Sequence, residues 1–212
     1  MIAKFILFFP MIIVFIAVAP FSSGSTVGQG LMPNSFTAKF EQVYQSALTG
    51  RENRSQGTLE YLYPGNIRFE IQRPDALVFT SNSQKSWYYK PPFIEKESGE
   101  LIIKSSGDMV LNRFFDSLRK GLQSNSDYQV KQESGIYHLT FKEKLAQASG
   151  VKEAFLNFKE GKKNKFSQME SIELKKEDGT KVKFILSEII ENPKITVDRF
   201  IFTPPPNTKV TE

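Results

Sequence analysis

The side chains that could carry acid–base or nucleophilic chemistry are few in this chain. Its 212 residues include one histidine and no cysteine. An imidazole-centred triad or a histidine metal site would therefore have to be built on His138, and a thiol nucleophile is excluded. His138 lies in the stretch GIYHLTF, residues 135–141. Alternation puts Tyr137, Leu139 and Phe141 on one face and turns the imidazole to the other, where it reads as a solvent-facing side chain. Glu95, Glu97 and Glu100 could supply a carboxylate pair, but their spacing fits an exposed loop equally well. There is no phosphate loop and no dinucleotide fingerprint. Nothing in these residues makes a positive case for an enzyme.

Apolar surface is what recurs. In LYPGNIRFEIQRPD, residues 62–75, Ile67, Phe69 and Ile71 alternate between two proline-marked corners. Similar segments follow one another: 58–63, 66–72, 77–81, 85–90 and 101–104, then 128–131, 136–142, 153–158, 166–176, 180–190 and 195–202. Pro64-Gly65, Pro74-Asp75, Asn82-Ser83, Pro91-Pro92, Ser134-Gly135, Asp178-Gly179 and Asn192-Pro193 separate them. This spacing predicts an antiparallel meander, with Asp178-Gly179 as a two-residue hairpin turn.

The meander is interrupted at DMVLNRFFDSLRKGLQ, residues 108–123. Leu111, Phe114, Phe115, Leu118 and Leu122 form one stripe at helical spacing, with Asp108 as start signal and Lys120-Gly121 as stop. One amphipathic helix is expected to lay this stripe on a face of the sheet. Residues 35–48 are ambiguous. Phe36, Phe40, Val43, Tyr44, Ala47 and Leu48 fit a helix, whereas Phe36, Ala38, Phe40, Gln42 and Tyr44 alternate as a strand. Periodicity leans towards the helix.

The N-terminus carries one charge, Lys4, in its first 24 residues, and 5–18 is apolar apart from Pro10. That pattern predicts a secretory signal peptide over residues 1–24, cut somewhere in 19–25, followed by a single domain over 25–212. A cysteine-free exported chain is held by packing and lacks the thiol that lipid attachment needs. Without Lys4 the chain has 27 basic and 23 acidic side chains. This mild balance, together with export, argues against nucleic acid as a partner.

Nineteen phenylalanines are many for this length, and the strands carry aromatic bulk at Tyr61, Tyr63, Phe69, Trp87, Tyr89, Phe155, Phe184, Phe200 and Phe202. Two readings fit. One is the filled core of an ordinary sandwich or barrel. The other is a curved sheet whose concave face is only partly filled by a helix, leaving a pocket for a greasy ligand.

The ordered set of short motifs resembles the outer-membrane lipoprotein carrier family, LolA. SFTAKFEQ (35–42) is similar to that family's opening strand. Gly57-x-Leu59, Pro64, Arg68-Phe69-Glu70 and Pro74-Asp75 follow in its order. SWYYKPPFIEK (86–96) resembles its Trp-x-Tyr strand, and ENPKITVDRFIFTPPPNTKV (191–210) its tail. The resemblance runs from Ser35 to the C-terminus and implies that 35–45 is a strand. The fold it implies is an incomplete, strongly curved antiparallel β half-barrel with a helical lid over the apolar concave face. Leu59, Tyr61, Tyr63, Ile67, Phe69, Ile71, Trp87 and Tyr89 are then expected to wall an acyl-chain cavity, with Phe114, Phe115, Leu118 and Leu122 on the lid. A non-enzymatic, monomeric periplasmic carrier without cofactor or metal follows from the resemblance. It would take acylated lipoproteins from an inner-membrane ABC transporter of LolCDE type to a LolB-type outer-membrane acceptor.

Two departures from the family pattern stand out. Tyr63 occupies the position before the proline where an arginine is usual, which predicts a looser lid or a substitute from Arg68 or Arg73. The helix usual before the first strand is expected to be short or absent. Alternatives are a related half-barrel that carries another lipid or senses lipoproteins in the manner of RseB, and, remotely, a secreted hydrolase centred on His138.

Overall fold

The computed structural model describes residues 30–46, 49–94, 96–105, 110–161 and 164–212. The expected signal peptide and Asp108 lie outside them. Twelve strands form among the described residues, and β2 to β11 follow the alternating segments: β1 (Ser35–Gln45), β2 (Glu52–Leu62), β3 (Asn66–Arg73), β4 (Leu77–Ser81), β5 (Lys85–Lys90), β6 (Gly99–Ser105), β7 (Tyr128–Glu133), β8 (Ile136–Phe141), β9 (Val151–Phe158), β10 (Met169–Lys176), β11 (Lys181–Glu191) and β12 (Thr208–Thr211). Two helices interrupt them, α1 (Val110–Leu118) and α2 (Glu143–Ser149).

Residues 35–45 are a strand, against the helical periodicity. Neighbouring strands on both sides decide it, because β1 pairs along its whole length with β2 and again with β11. Phe36, Ala38 and Phe40 then sit opposite Tyr61, Leu59 and Gly57, all on one face. Gly57 has a steric reason: a Cβ there would lie 2.8 Å from the ring tip of Phe40 and 1.8 Å from the Glu70 carbonyl oxygen. The glycine lets the Phe40 ring lie flat across the strand and stack on Phe69, with centroids 4.2 Å apart.

All strands form one sheet in the order β12-β6-β5-β4-β3-β2-β1-β11-β10-β9-β8-β7. It is open, with β12 and β7 as edges, and antiparallel except that β12 runs parallel to β6. The curvature follows from α1. Phe115 of this helix packs on Tyr61 of β2 and Phe114 packs on Phe141 of β8. In a flat sheet those two strands, five steps apart, would be roughly 24 Å from each other, about twice the width of a helix. Only a sheet curled around α1 brings both into reach. The result is the expected half-barrel with a helix over its concave face.

Three expectations need correction. The Asp178-Gly179 turn is a three-residue loop, closed by Lys176 N–H donating to the Thr180 carbonyl, with Gly179 at φ 85°. Asp178 stabilises it by accepting from the Thr180 N–H at 2.8 Å, which favours the longer turn. Residues 195–202 are not a strand. They hold a 3-10 turn, Val197–Phe200, and the final strand forms later, at β12. Finally, α2 was not anticipated, since seven residues give too few turns for a period to register. No helix precedes β1 among residues 30–34.

Candidate functional site: the covered apolar interior

Cross-strand registers sort the sheet into two faces. The concave one carries Phe36, Phe40, Leu59, Tyr61, Ile67 and Phe69 on one flank and Leu139, Leu156, Ile172 and Phe184 on the other. Sequence spacing correctly gives α1 its apolar stripe: Phe114, Phe115 and Leu118 are buried, and Leu111 and Leu122 pack at the margin. Phe115 sits edge-on to Phe36 at 5.4 Å, and Phe40 and Phe69 meet Phe184 edge-on at 6.0 Å. Between α1 and the strands, Leu59, Phe69, Phe114, Phe115, Ile172 and Phe184 surround a residual void of about 10 Å³, at most one water. In this structure α1's own side chains fill the interior.

The polar edge of the helix is as regular as its apolar stripe. Asn112, Asp116 and Arg119 recur at helical spacing and meet the β2–β3 corner one after another. Asn112 Nδ2 donates to the Gly65 carbonyl at 2.5 Å and to Ser81 Oγ at 3.1 Å. Asp116 Oδ1 accepts from the Tyr61 hydroxyl at 2.5 Å and the Gly65 N–H at 3.2 Å. The Arg119 guanidinium lies 4.1 Å over the Tyr63 ring, and its Nη1 donates to the Pro33 carbonyl at 3.4 Å. At the other side, the Tyr128 hydroxyl donates to the Gly121 carbonyl at 2.5 Å and lies 3.3 Å from that of Ser117, anchoring the chain just past the end of α1. Burial and the Asp116 carboxylate raise the Tyr61 hydroxyl well above the ordinary tyrosine range, and burial pushes Tyr128 up to about 12. Asn112 Oδ1 is buried and accepts nothing from the protein.

Of the expected wall residues, Leu59, Tyr61, Ile67, Phe69 and Ile71 face this interior. Tyr63 does not. It is exposed and serves the α1 contact through Arg119. Trp87 and Tyr89 are on the opposite face, because they pair with Thr80 and Val78 while Phe79, between these two, faces the interior. They form a separate cluster with Leu101, Val78, Ile103 and Phe202. The arginine found at the contact between α1 and this corner is Arg119, while Arg68 is turned to that opposite face and bound to Glu70 and Thr80. Helical spacing alone would have flagged Asn112, Asp116 and Arg119, whereas Phe36, Phe40 and Phe184 required the strand registers. His138 stacks on Phe155 with its Nε2 2.9 Å from Glu153, away from the interior.

Beyond α1 the concave face continues as an open groove of about 410 Å³, lined by Tyr44, Ile71, Leu77, Tyr88, Arg54 and Lys90.

Residues 32–203 match the family model described as outer membrane lipoprotein carrier protein LolA. The chain belongs to the LolA family. That membership is of a carrier family, not an enzyme family. An outer-membrane lipoprotein carrier protein of Serratia proteamaculans is 25% identical over 173 residues, covering 81% of this chain and 78% of that protein. Another, from Idiomarina loihiensis, is 26% identical over 180 residues, covering 83% and 80%. Among solved structures, a LolA superfamily protein from Nitrosomonas europaea superposes with TM-score 0.46 at 12% identity, covering 82% of this chain and 94% of that one. An uncharacterised conserved protein from Thermus thermophilus gives 0.46 at 11%, covering 87% and 93%.

Proposed function

We propose that this LolA-family protein is a periplasmic carrier that takes lipoprotein acyl chains between α1 and the concave face and moves them from the inner to the outer membrane. The observation that carries the reading is a predominantly apolar, aromatic-lined interior covered by α1, whose polar contacts lie along its edge. Leu59, Tyr61, Ile67, Phe69 and Ile71 are the sheet side of the acyl site, and Phe114, Phe115, Leu118 and Leu122 the helix side. Since the interior is filled, α1 must leave before chains enter.

The physical need is large. Each methylene exposed to water costs about 0.8 kcal/mol, so a multiply acylated protein cannot cross water uncovered. Loading would occur at a LolCDE-type transporter and unloading at a LolB-type acceptor, with no bond made or broken in the carrier. Among the described residues no helix is long and apolar enough to span a membrane, in keeping with a shuttle.

Titration with a synthetic diacylated lipopeptide tests the reading, using a fluorescent fatty acid as competitor. Wild type is expected to bind stoichiometrically. Phe115→Glu, which puts an uncompensated carboxylate against the chains, is expected to lose binding while circular dichroism shows the sheet intact. Absence of binding by folded wild type would reject the carrier reading.

A further inference from the structure

Phe93 is the most exposed large apolar side chain among the described residues, at 88%, and Ile94 beside it is 57% exposed. Isolated exposed apolar residues are common and need no explanation. Here two adjacent ones occupy the tip of the β5–β6 loop, directly after Pro91-Pro92. We propose that this tip inserts into the interfacial layer of a phospholipid bilayer and so sets the mouth of the concave groove against the membrane.

The loop is held at its base, with Phe93 and Ile94 exposed towards its apex. Asn207 fixes the base: its carbonyl accepts from the Gly99 N–H at 3.1 Å, its Oδ1 from Ser98 Oγ at 3.2 Å, and its Nδ2 donates to the Glu97 carbonyl at 3.2 Å. A turn closed by the Glu97 N–H on the Ile94 carbonyl, at 3.1 Å, sets the tip itself. Insertion of a loop already ordered at its base sacrifices less conformational freedom than ordering a slack one.

Position supplies the second argument. Lys90, the last residue of β5, lines the groove, and the loop that carries the tip begins with the very next residue. A bilayer touching Phe93 therefore lies at the groove's own end of the molecule. Chemistry supplies the third. In sequence the loop, residues 91–98, has Lys96 against Glu95 and Glu97, so its net charge of −1 does not steer it to an acidic partner. Two neighbouring apolar side chains on a convex apex offer a protein no pocket. A fluid interface needs none, and an aromatic ring is well suited to it. The membrane role rests on the carrier reading for its purpose but not for its occurrence.

Two side chains give weak, reversible attachment. Cosedimentation with neutral phosphatidylcholine vesicles at high salt tests the proposal, because a chain of net charge +5 adsorbs to anionic vesicles regardless. Wild type is expected to partition, and the Phe93→Asp, Ile94→Asp double variant to partition about tenfold less or weaker, with unchanged circular dichroism and unchanged fatty-acid uptake in solution. In Phe93→Trp the new indole is expected to shift its emission to the blue on adding vesicles. No wild-type partition, equal partition by the double variant, or partition confined to anionic vesicles at low salt would overturn the proposal. So would a double variant that fails only in exchange with a protein acceptor, which would assign the tip to protein docking. Vesicle binding without fatty-acid uptake would instead defeat the carrier reading and leave the tip standing.

Discussion

Tyr128 and Tyr63 act on α1 through different chemistry, and each makes its own prediction. The Tyr128 hydroxyl keeps its proton to about pH 12 because burial disfavours the phenolate. An unfolded tyrosine releases it near 10. The folded pKa is the higher one, so this group's stabilisation is complete below about pH 10 and disappears as pH rises from 10 to 12, on the order of 3 kcal/mol in all. Tyr61, shifted in the same direction, adds to the loss over the same alkaline range. Tyr128→Phe is expected to cost about 1 kcal/mol at pH 7 through the lost bond to the Gly121 carbonyl. It should also flatten the dependence of the urea midpoint on pH above 10. An unchanged slope would mean that the hydroxyl is not protected.

Arg119 over Tyr63 is a cation–π contact at a partly exposed site, worth about 0.5–1 kcal/mol. Restoring the family arginine by Tyr63→Arg would put two guanidinium groups side by side. The expected outcome is a looser helix: faster loading and release of a lipopeptide, by roughly two- to fivefold, measured by stopped-flow exchange. Arg119→Ala should act in the same direction. Slower exchange in Tyr63→Arg would show that the replacement arginine finds the helix carbonyls instead.

At the scale of the element, the proposed loading would have α1 exchange one set of apolar partners for another. Withdrawing Phe114, Phe115 and Leu118 from the interior costs roughly 5–9 kcal/mol at about 1.5–3 kcal/mol each. Burying about ten methylenes in their place returns ~8 kcal/mol. A near balance is what lets a carrier both load and unload. The buried, unpartnered Asn112 Oδ1 shifts that balance further towards opening. Asn112→Leu, which removes the orphan acceptor together with two donated bonds, is therefore expected to change the closed state by less than about 1 kcal/mol. Asp116→Ala is expected to cost more, about 1–3 kcal/mol, by stranding the Tyr61 hydroxyl and the Gly65 N–H. Thermal melting of both variants measures the difference.

At the scale of the whole molecule, the sheet has two cores on two faces. The second is covered by the C-terminal segment. Arg199 forks onto Glu60 with bonds of 2.6–3.1 Å, Phe200 is fully buried, Phe202 meets Tyr89 at 5.0 Å, and β12 joins β6. Trp87 lies in this second core, so its emission is expected to be blue from the start and unaffected by lipopeptide. Phe202→Ala should redden it while leaving acyl binding intact. A ligand-dependent Trp87 signal would mean that the two faces are coupled.

Much was written in local pattern. Alternation located most strands, and the spacing of Leu111, Phe114, Phe115 and Leu118 predicted α1 and its buried stripe, because side-chain direction in a helix or strand follows from periods of 3.6 and 2. The same spacing held Asn112, Asp116 and Arg119, legible in principle but unread, since a polar edge acquires meaning only once the corner it meets is known. Tertiary structure decided the rest. Residues 35–45 became a strand because β2 and β11 offered hydrogen bonds on both sides, which no local period records. Trp87 and Tyr89 passed to the opposite face because the face a strand presents depends on its register with the next strand, and a shift of one residue reverses it. The filling of the interior by α1 likewise came from the curl of the whole sheet, a sum of small twists along twelve strands.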